Sequence, residues 1–157
     1  FVAHVAFRNG IILFVTRHAQ NIPVVERTAF DVGEYSNCKR WFNGLLTDST
    51  RKFGAVVRLP DAIIFLNTHD ALNEPHAAIN EAAKMMIPTV AICDTDTDPS
   101  LITYPVPGND DTVMSINYYC DMFKQAILAG KEKRKQLDKD GIIIDYELDD
   151  PLKNNKK

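Results

Sequence analysis

Three short apolar runs, none interrupted by a charged residue, constrain the fold of this chain more than any other feature. They occupy residues 11–16, 62–66 and 89–93 and are rich in β-branched side chains. Such runs are typical of strands covered on both faces, as in a parallel sheet. Residues 35–38 and 101–106 add two shorter extended stretches, and Pro105 within the second and Pro107 just after it would keep that strand at an edge. The sequence therefore predicts about five strands.

Helical segments alternate with these strands. They are predicted at residues 1–7, from the N-cap Asn21 to about residue 30, from residues 73–75 to 86, and from the N-cap Asn109 to Gly130. This alternation favours right-handed βαβ units, and hence an α/β fold built as a three-layer α/β/α sandwich. We expect a single α/β domain at residues 1–130, whose N-terminal part is missing, and a charged C-terminal extension at residues 131–157.

Single residues and the extension carry further expectations. His76 falls in the first turn of its predicted helix and is expected to be exposed, and Gly108 supplies the bend before Asn109, where a positive φ would require glycine. The three cysteines are too scattered for a disulfide framework, which favours buried thiols. In the extension, residues 142–148 form a short extended apolar run and residues 151–157 have the composition of a disordered tail.

The loop after the third apolar run is acidic and lies where open α/β sheets usually bind ligands. Asp94 and Asp96, together with Asp110 and Asp111, support the hypothesis of a small α/β enzyme. However, no glycine-rich phosphate loop and no nucleophile with a general base accompany them in the sequence. The loop also begins like a calcium loop, but Pro99 replaces the glycine that its sharp turn needs. We therefore predict no catalytic residue, metal or cofactor, and keep the enzyme as the alternative.

Charge is distributed unevenly along the chain, although the net charge is only −3. Residues 1–60 carry eight Lys and Arg against four Asp and Glu, whereas residues 61–130 carry two against ten. Only the first of these regions can neutralise phosphates. We therefore expect nucleic-acid contacts in the first third of the chain, and solvent or basic proteins opposite the acidic middle.

A basic segment with interleaved aromatic residues occupies residues 39–44, which read KRWFNG. This mixture suits RNA, because cations contact phosphates and aromatic rings can stack on unpaired bases. Packing of Trp41 and Phe42 onto the domain core is the alternative. The candidate RNA-binding residues are Arg17, Lys39, Arg40, Trp41, Asn43, Arg51, Lys52 and Arg58.

Several of these segments resemble one family. The sequence YPVPGNDD at residues 104–111, preceded by IPTVAICDTDTDP, is similar to the pattern of the second protein of the small ribosomal subunit, as are LPDAIIFL at residues 59–66 and CKRWFNGLLTD at residues 38–48. Asp48 departs from the family pattern, in which asparagine is usual. The segments EPHAAINEAAKMMIPTV and AGKEKRK, and the brief stretch where bacterial members insert a helical hairpin, resemble the mitochondrial branch.

The resemblance implies a fold and a function. It implies a flavodoxin-like parallel sheet of five strands in the order 2-1-3-4-5, and a non-catalytic structural constituent of the mitochondrial small ribosomal subunit, located in the matrix. The implied partners are small-subunit rRNA and neighbouring small-subunit ribosomal proteins, with no membrane and no small-molecule substrate. A protein-binding module that uses the same fold away from the ribosome is a third possibility.

Overall fold

The computed structural model describes residues 1–54, 57–70 and 74–139, in which strands and helices alternate. The strands are β1 Ile12–Val15, β2 Tyr35–Asn37, β3 Ala62–Phe65, β4 Thr89–Cys93 and β5 Tyr104–Pro107. The α-helices are α1 Val2–Phe7, α2 Ile22–Val32, α3 Ser49–Phe53, α4 Ala77–Lys84 and α5 Val113–Lys139. A short 3-10 helix, Pro99–Leu101, lies between β4 and β5, where part of an extended stretch had been predicted.

All five strands join one parallel sheet in the order β2-β1-β3-β4-β5. This order confirms what the family resemblance implied. In the centre, Ile12 of β1 pairs with Ala62 of β3. β5 lies at one edge, as predicted, because its two prolines cannot donate to a further strand.

Alternate residues of the strands pack into two separate cores. On one face, Ile12 and Phe14 of β1 pack against α1, α2 and α5. On the other face, Val15 of β1 and Phe65 of β3 pack against α4 and the loop that contains Leu46. The predicted three-layer sandwich is thus confirmed, and the polar loops lie at the ends of the strands.

α2 ends as predicted but begins without the predicted cap. Gly33, which follows the helix, has a left-handed φ of 68°. Asn21 precedes the helix, yet its side chain caps no amide. The side-chain Nδ2 of Asn21 instead donates a hydrogen bond to Oδ1 of Asn67 at 3.1 Å. The capping role predicted for Asn21 is wrong, because a buried partner after β3 binds its side chain.

α4 begins later than predicted and corrects the expectation for His76. The helix starts at Ala77, and His76 is its N-cap, whose Nδ1 accepts a hydrogen bond from the Ala78 amide at 3.2 Å. The imidazole is 1% exposed and lies against the rings of Phe65 and Trp41. The expectation of an exposed side chain is wrong, because the loop carrying Trp41 folds back over this end of α4.

The start of α5 differs from the predicted one by one turn. Asn109 does not begin the helix, because its Oδ1 accepts hydrogen bonds from the amides of Asp111 at 2.8 Å and Thr112 at 3.4 Å and so closes the preceding turn. α5 itself begins at Val113. The Thr112 hydroxyl accepts a hydrogen bond from the Ser115 amide at 3.3 Å and therefore supplies the cap.

α5 also continues past Gly130, where it was predicted to stop. Gly130 is buried inside the helix, and a Cβ at this position would overlap the carbonyl oxygen of Ala3 in α1. The predicted helix end at Gly130 is wrong. Glycine occurs here because a residue without a side chain allows α1 to pack closely against α5. The division of the chain at residue 130 into a domain and an extension stays a prediction, and α5 crosses that point without a break.

Gly108 is constrained by a neighbouring side chain. Its φ is not positive, so the turn does not require glycine for that reason, but a Cβ there would lie 2.9 Å from Cζ of Tyr119. We expect Gly108→Ala to destabilise the protein by about 1–3 kcal/mol in urea unfolding, because the tyrosine ring must be displaced. In a Tyr119→Leu background the same substitution should cost much less. An equal cost in both backgrounds would contradict this explanation.

The remaining expectations concern the thiols, α3 and the extension. The three cysteines are unpaired, and burial raises the pKa of both Cys38 and Cys120 to about 11. α3 was not predicted from the sequence. Among the described residues, no helix combines the length and apolar character needed to cross a membrane. The run predicted at residues 142–148 and the tail at residues 151–157 lie outside the described residues.

Candidate nucleic-acid interface

One buried carboxylate holds the basic segment that follows β2. Glu81 lies on the core-facing side of α4 and is 7% exposed. It accepts hydrogen bonds from the indole Nε1 of Trp41 at 3.1 Å, the amide of Gly44 at 2.6 Å and the amide of Leu46 at 2.9 Å. Residues 41–46 are thereby attached to α4, and we call them the anchored loop. Its geometry is set by the domain core.

The protonation of Glu81 follows from these contacts. Burial alone would raise the pKa of its carboxyl group, but the hydrogen bonds from the Leu46 and Gly44 amides and from the Trp41 indole lower the pKa below its ordinary value of 4.5. Glu81 is therefore ionised at neutral pH. Sequence reasoning missed it, although an acidic residue between Ala78 and Ala82 on the apolar stripe of a helix is itself a usable signal.

The anchored loop turns its two aromatic residues in opposite directions. Trp41 packs against the core and meets the His76 ring edge-on at a centroid distance of 5.7 Å. Of the two alternatives, base stacking and packing onto the core, packing therefore describes Trp41. Phe42 is 62% exposed. Because its ring is open to solvent, Phe42 is available for stacking on a base, although only Trp41 stood among the candidate residues.

The structure brings part of the candidate set together. Lys52 of α3 donates a hydrogen bond from Nζ to the carbonyl oxygen of Asn43, which joins α3 to the anchored loop. Arg17 donates from Nη1 to the carbonyl oxygen of Cys38 at 3.3 Å and so supports the backbone just before Lys39. The exposed members of this surface are Lys39, Arg40, Asn43, Arg51 and Lys52.

Arg58 lies at the margin of this surface. Its guanidinium pairs with the carboxylate of Asp61 at 3.2 Å, so its charge is partly compensated. It also lines an open depression of about 760 Å³ beside β2, together with Lys39 and the exposed ring of Phe53. Phe53, which the sequence did not single out, adds an aromatic ring to this basic surface.

The acidic carboxyl edge of the sheet is closed by the protein's own side chains. Asn67 accepts hydrogen bonds from the Thr16 hydroxyl at 2.6 Å and from Asn21, and donates one to the carbonyl oxygen of Asp110 at 2.8 Å. Asp94 accepts a hydrogen bond from the amide of its neighbour Thr95 at 2.6 Å. These groups stabilise turns and join β1 and β3 to the start of α5, in the place where an α/β enzyme would bind a ligand.

Asp110 and Asp98 show how different the surroundings of these carboxylates are. Asp110 is buried, and its burial raises the pKa of the carboxyl group despite a hydrogen bond from Asn67. Asp98 is exposed, and its hydrogen bonds with Ser100 lower its pKa. Among the described residues, no group of three or more His, Cys, Asp and Glu side chains has the arrangement of a metal site.

The buried imidazole beneath Trp41 predicts a pH dependence of stability. Burial lowers the pKa of His76 to about 4 from an ordinary value of 6.5. The unfolded chain therefore binds a proton that the folded protein excludes, so stability is full above pH 6.5 and falls as the pH decreases towards 4. We expect His76→Asn, which keeps a capping acceptor, to show a shallower fall in urea unfolding. Equal slopes over this range would contradict the assignment.

Comparison with known proteins agrees with this structure. A sequence model of the family described as Ribosomal protein S2 matches residues 49–130, slightly more than half of the chain. The chain is 52% identical over 138 residues to the small ribosomal subunit protein uS2m of Bos taurus. The chain belongs to the ribosomal protein S2 family. The resemblance seen in the sequence is thus confirmed, and the chain is a mitochondrial-type member.

The chain spans only part of the S2 family members that it matches. The bovine alignment covers 88% of this chain and 47% of the bovine protein. The small ribosomal subunit protein uS2 of Wolbachia sp. subsp. Drosophila simulans is 32% identical over 90% of this chain and 63% of its own length. The uS2 protein of Rickettsia felis is 29% identical over 80% of this chain and 56% of its own length.

Proposed function

We propose that the protein is a structural, non-catalytic constituent of the mitochondrial small ribosomal subunit, where it binds rRNA and neighbouring ribosomal proteins. Its 52% identity to bovine uS2m, over 88% of this chain, carries the proposal. The closed polar edge of the sheet also supports it, because Asn67 and its partners occupy the usual ligand position of an α/β enzyme. The proposed function requires no small-molecule substrate, cofactor or membrane.

The proposed RNA-binding surface comprises the anchored loop, the residues just before it and α3. Lys39, Arg40, Arg51 and Lys52 present their side chains to solvent and can neutralise phosphates. Asn43 adds an exposed amide, and Phe42 adds a ring for stacking. In this proposal Trp41 positions the loop, Arg17 supports its entry, and Arg58 contributes from the margin.

The acidic middle of the chain is the proposed protein-facing side. Residues 61–130 contain only Lys84 and Lys124 as Lys or Arg, against ten Asp and Glu, of which all but the buried Glu81 and Asp110 are at least partly exposed. Such a surface repels phosphates and complements the basic proteins that accompany rRNA. We retain residues 1–130 as the proposed domain and residues 131–157 as the proposed extension.

Reversal of two exposed cations tests the orientation. We expect Lys39→Glu combined with Arg40→Glu to lower incorporation of the protein into small subunits and to reduce the salt dependence of rRNA binding by about one unit of slope per lost contact. Incorporation is measured by sedimentation of mitochondrial extracts, and salt dependence by filter binding. Variants are compared at matched melting temperatures, because misfolding also lowers incorporation.

Lys84→Glu is the suitable control for this experiment. Lys84 is an exposed cation at the end of α4, on the acidic part of the chain. Lys124 is less suitable, because its Nζ pairs with the Asp31 carboxylate at 2.6 Å and reversal would also break that contact. A larger loss of incorporation for Lys84→Glu than for the Lys39 and Arg40 pair would place the RNA on the opposite side and overturn the proposed orientation.

A further inference from the structure

β2 forms an open edge of the sheet. Within the described residues it pairs with β1 alone, and Tyr35 of β2 is in register with Leu13 of β1. Residues in register on neighbouring parallel strands project from the same face, so Tyr35 and Leu13 lie side by side. In the described part of the chain, the outer peptide groups of β2 have no strand partner and can bond to a ligand.

The depression of about 760 Å³ beside β2 is large enough to hold a small ligand. Leu13 and Tyr35 line it, and the end of α3 contributes Phe53. Tyr35 is 61% exposed and Phe53 is 62% exposed, so two aromatic rings are open to solvent in the same depression. Exposed rings of this kind are typical of sites on which unpaired bases stack.

A cation lies at each end of this depression. Lys39 follows the carboxyl end of β2, and its amide donates a hydrogen bond to Oδ1 of Asn37 at 3.2 Å, which fixes the turn at that end. Arg58 lies at the amino end of the sheet, where it pairs with Asp61. Asp61 in turn accepts a hydrogen bond from the Ile11 amide at 2.7 Å. Contacts within the fold therefore place the two charges at opposite ends of β2.

This combination of groups complements a nucleotide. A nucleotide joins a flat base to an anionic phosphate, and the depression offers aromatic rings between two cations. Among the described residues that line it, Glu26 is the one carboxylate, so the cations outnumber the anions. The exposed pair of Arg58 with Asp61 is weak and engages only part of the guanidinium, which has further N–H donors for a phosphate.

The depression is continuous with the proposed RNA-binding surface. Lys39 belongs to both, and Arg40 and the anchored loop follow it directly. A strand of RNA whose phosphates contact Lys39 and Arg40 therefore brings its next nucleotides to the open rings of the depression. The outer peptide groups of β2 can then bond to the edge of a base, which carries both donors and acceptors.

We propose that this depression receives an unpaired nucleotide of the rRNA. Its base stacks on Tyr35, with Phe53 as the second aromatic wall, and Lys39 and Arg58 contact the flanking phosphates. A base inside a duplex is stacked on its neighbours and cannot enter, so the depression selects single-stranded RNA. The inference rests on the proposed ribosomal function and adds to it a site for a single base.

Photocrosslinking in assembled small subunits tests this site. The full-length protein is produced in cells with p-benzoylphenylalanine in place of Tyr35, and small subunits are isolated by sedimentation and irradiated. We expect a crosslink to an rRNA nucleotide that reacts with single-strand-specific probes in protein-free rRNA. The same group in place of Met114, which is 85% exposed on α5 in the acidic middle of the chain, is the control. Its yield of RNA crosslinks should be about tenfold lower or less.

Filter binding of rRNA provides a second measurement. We expect Tyr35→Ala to weaken binding by about tenfold, because a base loses its stacking partner. The salt dependence of binding should stay unchanged, because no charge is removed. Tyr35→Phe keeps the ring and should bind within about twofold of the unsubstituted protein. Phe30→Ala removes a ring that is 84% exposed on α2, outside the depression, and should bind normally.

Each outcome decides the proposal. A crosslink to an unpaired rRNA nucleotide, together with weaker binding of Tyr35→Ala but not of Tyr35→Phe, supports it. Crosslinks to a neighbouring protein, to a paired nucleotide or to nothing overturn it, as do equal RNA yields from positions 35 and 114 or normal binding of Tyr35→Ala. Recovery of the protein in small subunits is measured before irradiation. Recovery without an rRNA crosslink overturns only the nucleotide site, whereas absence from the subunits overturns the ribosomal role on which it rests.

Discussion

Replacement of Glu81 by alanine is expected to lower the free energy of unfolding by about 3–5 kcal/mol and to release the anchored loop. The Glu81 carboxylate accepts three hydrogen bonds, from Trp41 at 3.1 Å, Gly44 at 2.6 Å and Leu46 at 2.9 Å. Hydrogen bonds to a charged group each contribute about 1.5–3 kcal/mol. Without the carboxylate, the Leu46 amide would lose its partner in a buried position, and the Trp41 and Gly44 donors would lose theirs in partly buried positions. The expected loss is below the sum, because the loop can move outward and regain contact with water.

Urea unfolding measures this loss, and the fluorescence of Trp41, the single tryptophan of the chain, reports the release of the loop. Glu81→Gln keeps a carbonyl acceptor and should lose less stability than Glu81→Ala. Asn80→Ala, at the exposed neighbouring position of α4, should change stability by less than about 0.5 kcal/mol. If Glu81→Ala were as stable as Asn80→Ala, the packing of Trp41 alone would hold the loop.

Gly130→Leu is expected to separate α1 from α5 and to destabilise the protein by about 3 kcal/mol or more. A Cβ at Gly130 would overlap the carbonyl oxygen of Ala3 and lie 3.2 Å from Cβ of Ala6. A backbone oxygen cannot move aside by changing a rotamer, so the whole of α1 must shift. That shift would expose Val2 and Ala6, the two residues of α1 that are buried in the core.

For Gly130→Ala, the sign of the change in the free energy of unfolding is the test. In an ordinary helix interior, replacing glycine with alanine stabilises by about 0.5–1 kcal/mol. Here we expect a net destabilisation of about 1–2 kcal/mol in urea unfolding, because the added methyl group collides with α1. Gln125→Leu, at an exposed position of the same helix, serves as the control and should remain near neutral. A stabilising Gly130→Ala would show that α1 does not pack closely on this residue.

The strands were the most predictable part of the fold. The apolar runs at residues 11–16, 62–66 and 89–93 contain β1, β3 and β4, which differ from the predicted bounds by at most one residue at either end. These strands are buried on both faces, so their composition alone distinguishes them from the surface. The order of the strands required the family resemblance, because local spacing does not specify which parallel neighbour a strand selects.

The helix ends were less predictable, because competing partners are distant in the chain. Asn21, His76 and Gly130 each carry a plausible local signal for a cap, an exposed turn or a stop. In the folded protein, Asn21 binds Asn67, His76 packs against Trp41, and Gly130 lies against Ala3. Each of these partners is too distant in the sequence to belong to a local pattern. A local preference is worth about 1 kcal/mol, and a buried contact readily exceeds it.

The composition of the candidate interface can be read from the amino-acid order: its basic residues precede the acidic middle, and aromatic residues lie among them. Which of those residues face outward depends on contacts made in the folded protein. Glu81, which lies 35 residues or more beyond the atoms that it binds, turns Trp41 inwards and leaves Phe42 exposed. This happens because a buried carboxylate requires several donors, and the fold supplies them from a segment remote in the chain.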